Sequence, residues 1–372
     1  MKKQNIVLIG FRGAGKSTFG RALAQVTHLP FADIDEEVEF LIGEPIHSFV
    51  EKHGWQVFRE VEQRVTHDFC RNFSGILATG GGTIENSKNL QNLKKTGVFV
   101  FLNPGFEKVR KYLLTSEKEK KRPRFNPEVS LAEEIDQMWN QRKSIYQATA
   151  EYEVNPDFDG EKKTEAKKMA AQLEKILPSP PPQKKVAVFS SSNGTSFEGL
   201  LEAQQRGRIP NVEFLLFVTD QPKSGALKKA QKAKIPLIEV REEKKGESRE
   251  EYDRELMNIL RQHNPDAILL AGWMRIFSPL YCDQFGNITY NVHPSLLPQF
   301  SGLKGDEVHQ KVLEYEERYS GCTIHRVSKD VDAGEIVLQR KVPVDPEDTI
   351  DSLRQKVQKQ EILGFCELLE KH

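Results

Sequence analysis

The first residues able to do chemistry lie in GFRGAGKST, residues 10–18, where Lys16 stands between a glycine and a serine. Gly10, Gly15, Lys16 and Ser17 complete GxxxxGK[ST], a loop whose glycines let backbone N–H groups turn toward phosphate oxygens. There the lysine ammonium reaches the outer phosphates, and the serine hydroxyl joins a Mg²⁺ shell. Asp33 and Asp35 follow in PFADIDEEVE, two apart at the end of a short apolar run. On a strand that spacing puts both on one face, at the end where parallel sheets bind ligands. One carboxylate can complete a metal shell while the other accepts a proton from a hydroxyl. Alone, the same pair before an acidic helix is usually just a helix N-cap and a dipole partner. Arg59, on the helical pattern WQVFREVEQRV, is either a substrate clamp or a surface arginine pairing with Glu60 or Glu62. Gly80, Gly81 and Gly82 end the apolar run ILATGGG, where missing side chains allow close approach to the backbone. The basic run EKEKKRPRF, residues 117–125, is a solvated face or a lid that closes Arg122 onto a nucleotide.

A different chemistry occupies the other half. Asn291 and His293 alternate on one face of the strand-like ITYNVHP, and Asp332 sits in a turn that ends at Gly334. An amide, an imidazole and a carboxylate suggest acyl transfer without a protein nucleophile. The amide and a protonated imidazole stabilise an oxyanion, and the carboxylate orients and charges the imidazole. The bland alternative is a histidine satisfied structurally before a proline. No HExxH or CxxC argues for zinc. SSSNGTS, residues 190–196, opens a helical pattern with N–H groups and hydroxyls suited to a phosphate monoester, or is a plain strand–helix turn. It lacks GxGxxG and any lysine, so it is neither a dinucleotide fingerprint nor a second phosphate loop of the first type.

Positioning such groups requires strands that end in loops. Short apolar runs (GILATGGG, GVFVFL, VEFLLFVTD, DAILLAGW) alternate with helical patterns, which predicts α/β units with largely parallel sheets. The sharpest change of composition is LPSPPPQKK, residues 177–185, between a helix-patterned EAKKMAAQLEKIL and a fresh strand, KKVAVF. Consecutive prolines cannot continue a helix, so the expected division is 1–177, a linker over 178–183, and 184–372. The 372 residues carry a formal net charge of +0, which gives no electrostatic reason to expect nucleic acid or a membrane surface as partner. The apolar run after the two N-terminal lysines has five residues and reads as a first strand rather than a signal peptide. Cys70, Cys282, Cys322 and Cys366 show no metal-like spacing and are expected to be reduced thiols in a cytoplasmic protein.

In the order GFRGAGKS, DID, FRE, TGGG, RPRF and NQRKSIY, residues 1–177 resemble the shikimate kinases. The resemblance implies a kinase-type parallel sheet with flanking helices, ATP with Mg²⁺, and shikimate as acceptor. ATP would be bound by Gly13, Ala14, Gly15, Lys16, Ser17, Thr18 and the lid arginine Arg122. Ser17 and Asp33 would serve the metal, and Asp35 would act as base at the acceptor hydroxyl. Arg59, Gly80, Gly81, Gly82 and Arg142 would grip the acceptor with Asp35. Arg124 departs from the apolar residue that more often follows RP in that family. A kinase of the same fold acting on gluconate or another polyol is the alternative.

Residues 184–372 resemble phosphoribosylglycinamide formyltransferases through NVHPSLLP, GCTIH, DVDAGEIV, AGWMRIFSP and the SNGTS loop. A Rossmann-like domain follows from that resemblance, with Asn291, His293 and Asp332 as catalytic trio and 10-formyltetrahydrofolate as co-substrate. Asn193, Gly194, Thr195 and Ser196 would bind the phosphate of glycinamide ribonucleotide, and Gln358 with Glu361 its ribose and glycinamide end. Met274, Arg275, Ile276 and Phe277, with Asn291, would line the folate pocket. Lys304 stands where some members carry histidine. The alternatives are formyltetrahydrofolate hydrolase and methionyl-tRNA formyltransferase, the latter disfavoured by the neutral charge; one half serving only as an inactive assembly module is a further alternative. Together the halves imply a bifunctional enzyme with small-molecule substrates.

Overall fold

The computed structural model describes residues 5–116, 124, 126, 128–180 and 182–371. The chain divides into two compact units, one of residues 1–181 with 206–210, the other of 182–205 with 211–372.

In the first unit the elements run β1 (Asn5–Ile9), α1 (Lys16–Thr27), β2 (Phe31–Asp33), α2 (Ile34–Ile42), α3 (Ile46–Asn72), β3 (Ile76–Ala78), α4 (Ser87–Thr96), β4 (Gly97–Leu102), α5 (Phe106–Thr115), α6 (Leu131–Thr149), β5 (Tyr152–Val154) and α7 (Lys162–Leu173). Among the described residues the strands form a parallel sheet in the order β2-β3-β1-β4-β5. Strand alternation divides the apolar residues between two cores. Val7, Ile9, Leu77, Phe99 and Phe101 enter one, and Ile6, Leu8, Ile76, Val100 and Leu102 the other. Burial on both faces explains why these strands read as continuous apolar runs. Between β1 and α1 the phosphate loop turns at Gly15, whose φ of 89° lies in the left-handed region that a side chain disfavours. Gly54, with φ 79°, kinks α3 into two helical stretches. The closing helix begins earlier and ends sooner than the pattern over 165–177 suggests, at Leu173.

The second unit contains β6 (Lys184–Phe189), α8 (Thr195–Gln205), β7 (Val212–Thr219), α9 (Gly225–Lys232), β8 (Leu237–Val240), α10 (Arg249–His263), β9 (Ala267–Leu270), α11 (Pro279–Phe285), β10 (Thr289–His293), α12 (Asp306–Glu314), β11 (Tyr319–Arg326), β12 (Ile336–Pro343) and α13 (Ile350–Lys371). The sheet order is β12-β11-β10-β9-β6-β7-β8, parallel from β10 to β8 and antiparallel at β10–β11–β12. The antiparallel edge sets Asn291 opposite His325 and His293 opposite Thr323. Among the described residues no helix is long and apolar enough to cross a membrane.

Candidate functional sites

In the first unit, Ser17, Asp33, Asp35, Arg59, Gly80, Gly81, Gly82 and Arg142 line one cavity of about 420 Å³. Lys16, just inside α1, is buried, and its ammonium donates to the carbonyls of Gly10 (2.8 Å) and Phe11 (2.9 Å). Gly13, Ala14 and Gly15 precede it in the turn, and Thr18 follows in the first helical turn. Arg122 lies outside the described residues.

The expectation that Asp33 and Asp35 share a strand face is corrected. Asp33 ends β2 and caps α2, its Oδ1 accepting from the Asp35 N–H (2.9 Å) and the Glu36 N–H (3.5 Å); Asp35 is already helical. A carboxylate at a strand end satisfies exposed helical N–H groups, so the chain turns one residue after Asp33. Both still reach the cavity. The Ser17 hydroxyl donates to Asp33 Oδ2. Burial, then the neighbouring Asp35, pushes the Asp33 carboxyl up to about 7. A buried carboxylate and the hydroxyl bonded to it are oxygen donors suited to a hard cation that keeps several waters.

The two arginines are held by acids. Arg59 Nη1 donates to Glu62 Oε2 (2.7 Å), and Glu62, buried in the helix face, also accepts from Thr83 Oγ1 (2.7 Å). Arg142 grips Glu85 in a bidentate pair, Nε to Oε1 at 3.0 Å and Nη2 to Oε2 at 2.7 Å. The glycines accommodate these groups: a Cβ on Gly80 would stand 2.6 Å from Asp35 Oδ1, and one on Gly82 would stand 2.7 Å from Arg59 Nη2. Gly81 offers its carbonyl to the Tyr146 hydroxyl (2.6 Å). The unusual Arg124 pairs with the buried Glu134 and donates to the Val129 carbonyl (2.6 Å), so its charge is met locally.

In the second unit a cavity of about 680 Å³ is lined by Asn193, Thr195, Ser196, Met274, Arg275, Ile276, Phe277, Asn291, His293, Asp332, Gln358 and Glu361. Gly194 precedes α8 with φ 71°, packed against Ala226. Met274 and Ile276 present exposed side chains, whereas Phe277 is buried and stacked on Tyr281 at 3.9 Å. Phe277 therefore meets the cavity with little exposed surface. Arg275 lies over the Tyr252 ring (3.9 Å) and pairs with Glu243 (2.9 Å). Lys304 also lines this cavity.

Asp332 adopts φ 56°, and that turn brings its carboxylate between two imidazoles. Its Oδ2 is 3.3 Å from His293 Nδ1 and accepts from the Gly302 N–H (3.0 Å); its Oδ1 is 3.6 Å from His325 Nε2. His293 Nε2 faces the Phe300 carbonyl at 3.1 Å. Burial pushes the His293 pKa down, while Asp332 and the Phe300 carbonyl, both acceptors, pull it back. Burial alone would raise Asp332; its hydrogen bonds with His325 and Gly302, together with His293, outweigh that and hold it low. His325 Nδ1 faces the Arg326 carbonyl at 3.0 Å, and its Nε2 lies 3.2 Å from Asn291 Nδ2 and 3.6 Å from Asp332 Oδ1. Glu361, buried and hydrogen-bonded by Ser196 (2.8 Å), is pushed up to about 7 by burial.

A family model described as shikimate kinase matches residues 12–176, and one described as formyl transferase matches residues 184–369. The chain belongs to the formyl transferase family and carries a shikimate kinase domain. Both are transferase families. The formyl transferase half is 34% identical over 178 residues to the phosphoribosylglycinamide formyltransferase of Haemophilus influenzae, covering 48% of this chain and 82% of that one. It is 36% identical over 184 residues to the trifunctional purine biosynthetic protein adenosine-3 of Drosophila melanogaster, 49% of this chain. The match spans only 13% of that longer relative. The kinase half is 31% identical to the solved shikimate kinase from Acinetobacter baumannii in complex with shikimate, over 47% of this chain and 96% of that one, with a TM-score of 0.42.

Two partners of site residues are not evident from the sequence. In the formyl transferase domain it is His325, whose only signal is its place two residues after Thr323 in GCTIH, on a strand pairing with β10. In the kinase domain it is Glu85, three residues past Gly82; Glu62 is the partner expected for Arg59.

Proposed function

We propose that the chain catalyses two transfers: of the ATP γ-phosphoryl group to the 3-hydroxyl of shikimate, and of the formyl group of 10-formyltetrahydrofolate to glycinamide ribonucleotide. One observation carries this reading. In each unit, groups that one reaction needs at a single point, yet which lie far apart in sequence, line a single cavity.

In the kinase domain, Asp35 accepts the proton of the attacking hydroxyl, and Arg59 and Arg142 take the acceptor carboxylate. The phosphate loop and Lys16 position the nucleotide, since phosphoryl transfer needs placement and charge neutralisation more than covalent help. Ser17 and Asp33 would hold Mg²⁺, which would offset the charge of the phosphates. In the formyl transferase domain, the glycinamide amine attacks the formyl carbon and a new C–N bond forms. Charge developing on the formyl oxygen is met by Asn291 Nδ2 and protonated His293. The bond to the folate nitrogen then breaks, and the proton released by the amine passes to that nitrogen by way of His293 or water. The Thr195–Ser196 turn suits the ribonucleotide phosphate, because free N–H groups gather at a helix start.

The deciding experiment supplies 10-formyltetrahydrofolate with and without glycinamide ribonucleotide, and ATP with and without shikimate. Formyl loss only with the ribonucleotide supports the transferase; loss without it makes the domain a hydrolase. Lys16→Ala abolishes phosphorylation and spares formyl transfer, and His293→Ala does the reverse. A folded variant that loses both activities refutes two independent sites.

A further inference from the structure

Both arginines assigned to the acceptor carboxylate are themselves bound to carboxylates, and the two bonds differ. Arg59 pairs with Glu62, which lines the cavity with it. Arg142 lines the cavity, whereas its partner Glu85 does not. Glu85 takes the Nε–Nη2 edge of the guanidinium, so the planar fork cannot rotate about its own axis. The side chain of Arg142 is 8% exposed and that of Glu85 35%, so the acid braces the arginine from its wetter side. The backbone keeps Glu85 in place through a short turn, its N–H donating to the Gly82 carbonyl (3.0 Å). Gly82 is where the groups meet: a Cβ there would stand 2.7 Å from Arg59 Nη2, 2.8 Å from Glu85 Oε2 and 3.2 Å from Arg142 Nη2.

We propose that Glu85 is a positioning residue that sets the selectivity of the kinase domain for carboxylate-bearing acceptors, by fixing the guanidinium plane of Arg142. This rests on the reading of the first cavity as an acceptor site for shikimate. A long arginine side chain left to rotate loses the pre-organisation that makes a planar fork discriminate a carboxylate from a neutral group. Glu85 thereby acts on binding and hardly at all on the phosphoryl step, since it touches neither Asp35 nor the phosphate loop in the hydrogen bonds described.

The test is Glu85→Ala in the full chain, assayed with shikimate and with its uncharged methyl ester. The expected result is a KM for shikimate raised about tenfold, with kcat changing much less and the KM for ATP unmoved. The preference for shikimate over the ester shrinks by a similar factor. Glu85→Asp, which keeps the charge, restores part of the preference, and Glu85→Gln serves where the alanine variant does not fold. Equal losses for the two acceptors, an unchanged KM, or a lowered one would overturn the inference. Failure of the wild-type chain to phosphorylate shikimate would instead overturn the functional reading, and this inference with it.

Discussion

Asp332→Asn separates charge from shape in the formyl transferase site. Asparagine is the appropriate replacement because Asp332 sits at φ 56°, a left-handed conformation that asparagine tolerates and alanine resists. The amide oxygen can still accept from the Gly302 N–H, so the turn survives. What is lost is a negative charge 3.3 Å from His293 Nδ1 and 3.6 Å from His325 Nε2. At 3.3 Å, and with an effective dielectric constant of about 20, a full charge pair is worth about 5 kcal/mol. The asparagine dipole keeps part of that, so the loss in transition-state stabilisation is about 2–3 kcal/mol, or about 30–150-fold in kcat/KM. The pH dependence gives the sharper readout. Asp332 raises the His293 pKa against burial, so its removal lowers that pKa further. A smaller fraction of imidazole is then protonated at neutral pH, and the deficit shrinks as the assay pH falls. Formyl transfer measured from pH 5 to 8, with His293 titrated by NMR, decides the matter. A loss below about threefold, or one of constant size across the range, or an unmoved His293, would refute the assignment of Asp332 as the group that charges the imidazole.

Gly82→Ala tests whether Arg59 and Arg142, the arginines proposed to hold the acceptor, act together. Gly82 has φ −110° and ψ 0°, which alanine adopts without strain, so any effect arises from the new methyl group displacing Arg59 and Glu85. The KM for shikimate should rise about tenfold with a thermal midpoint within a few degrees of wild type, and an unchanged KM counts against a shared cradle. Glu361 supplies a stability prediction. Its carboxyl is raised in the folded state from 4.5 to about 7, so the native chain binds the proton more tightly than the unfolded one. Stability therefore falls as pH rises from about 4.5 to 7 and is level above that, by about 3 kcal/mol at most. Glu361→Gln should remove this slope in denaturant titrations, and a slope that persists in the variant would place the titration elsewhere.

How far the sequence disclosed all this depends on the distance over which each feature is determined. The phosphate loop is local: strand, glycine turn and helix follow in one stretch, so the turn that sets Lys16 and Ser17 at the start of α1 was legible from spacing alone. So were the buried strands, because a parallel sheet covered on both faces leaves long apolar runs. Asp33 and Asp35 were misplaced on one strand because capping competes with strand extension, and the spacing of two carboxylates does not say which prevails. The Arg59–Glu62 pair was legible because it lies within one helical turn, whereas His325 and Glu85 were not, and for His325 the reason is register. His325 meets Asn291 only because β10 and β11 pair antiparallel at that step, and a slip of one residue would turn His325 to the opposite face. Glu85 meets Arg142 across 57 positions, through the approach of a short turn to α6. A sequence displays which groups can ionise, but whether an arginine is a clamp or half of an ion pair is decided by the packing that aims a second residue at it. In this chain the alternatives are not exclusive: Arg59 lines the cavity while bound to Glu62, so a local ion pair and a place in the site are one arrangement.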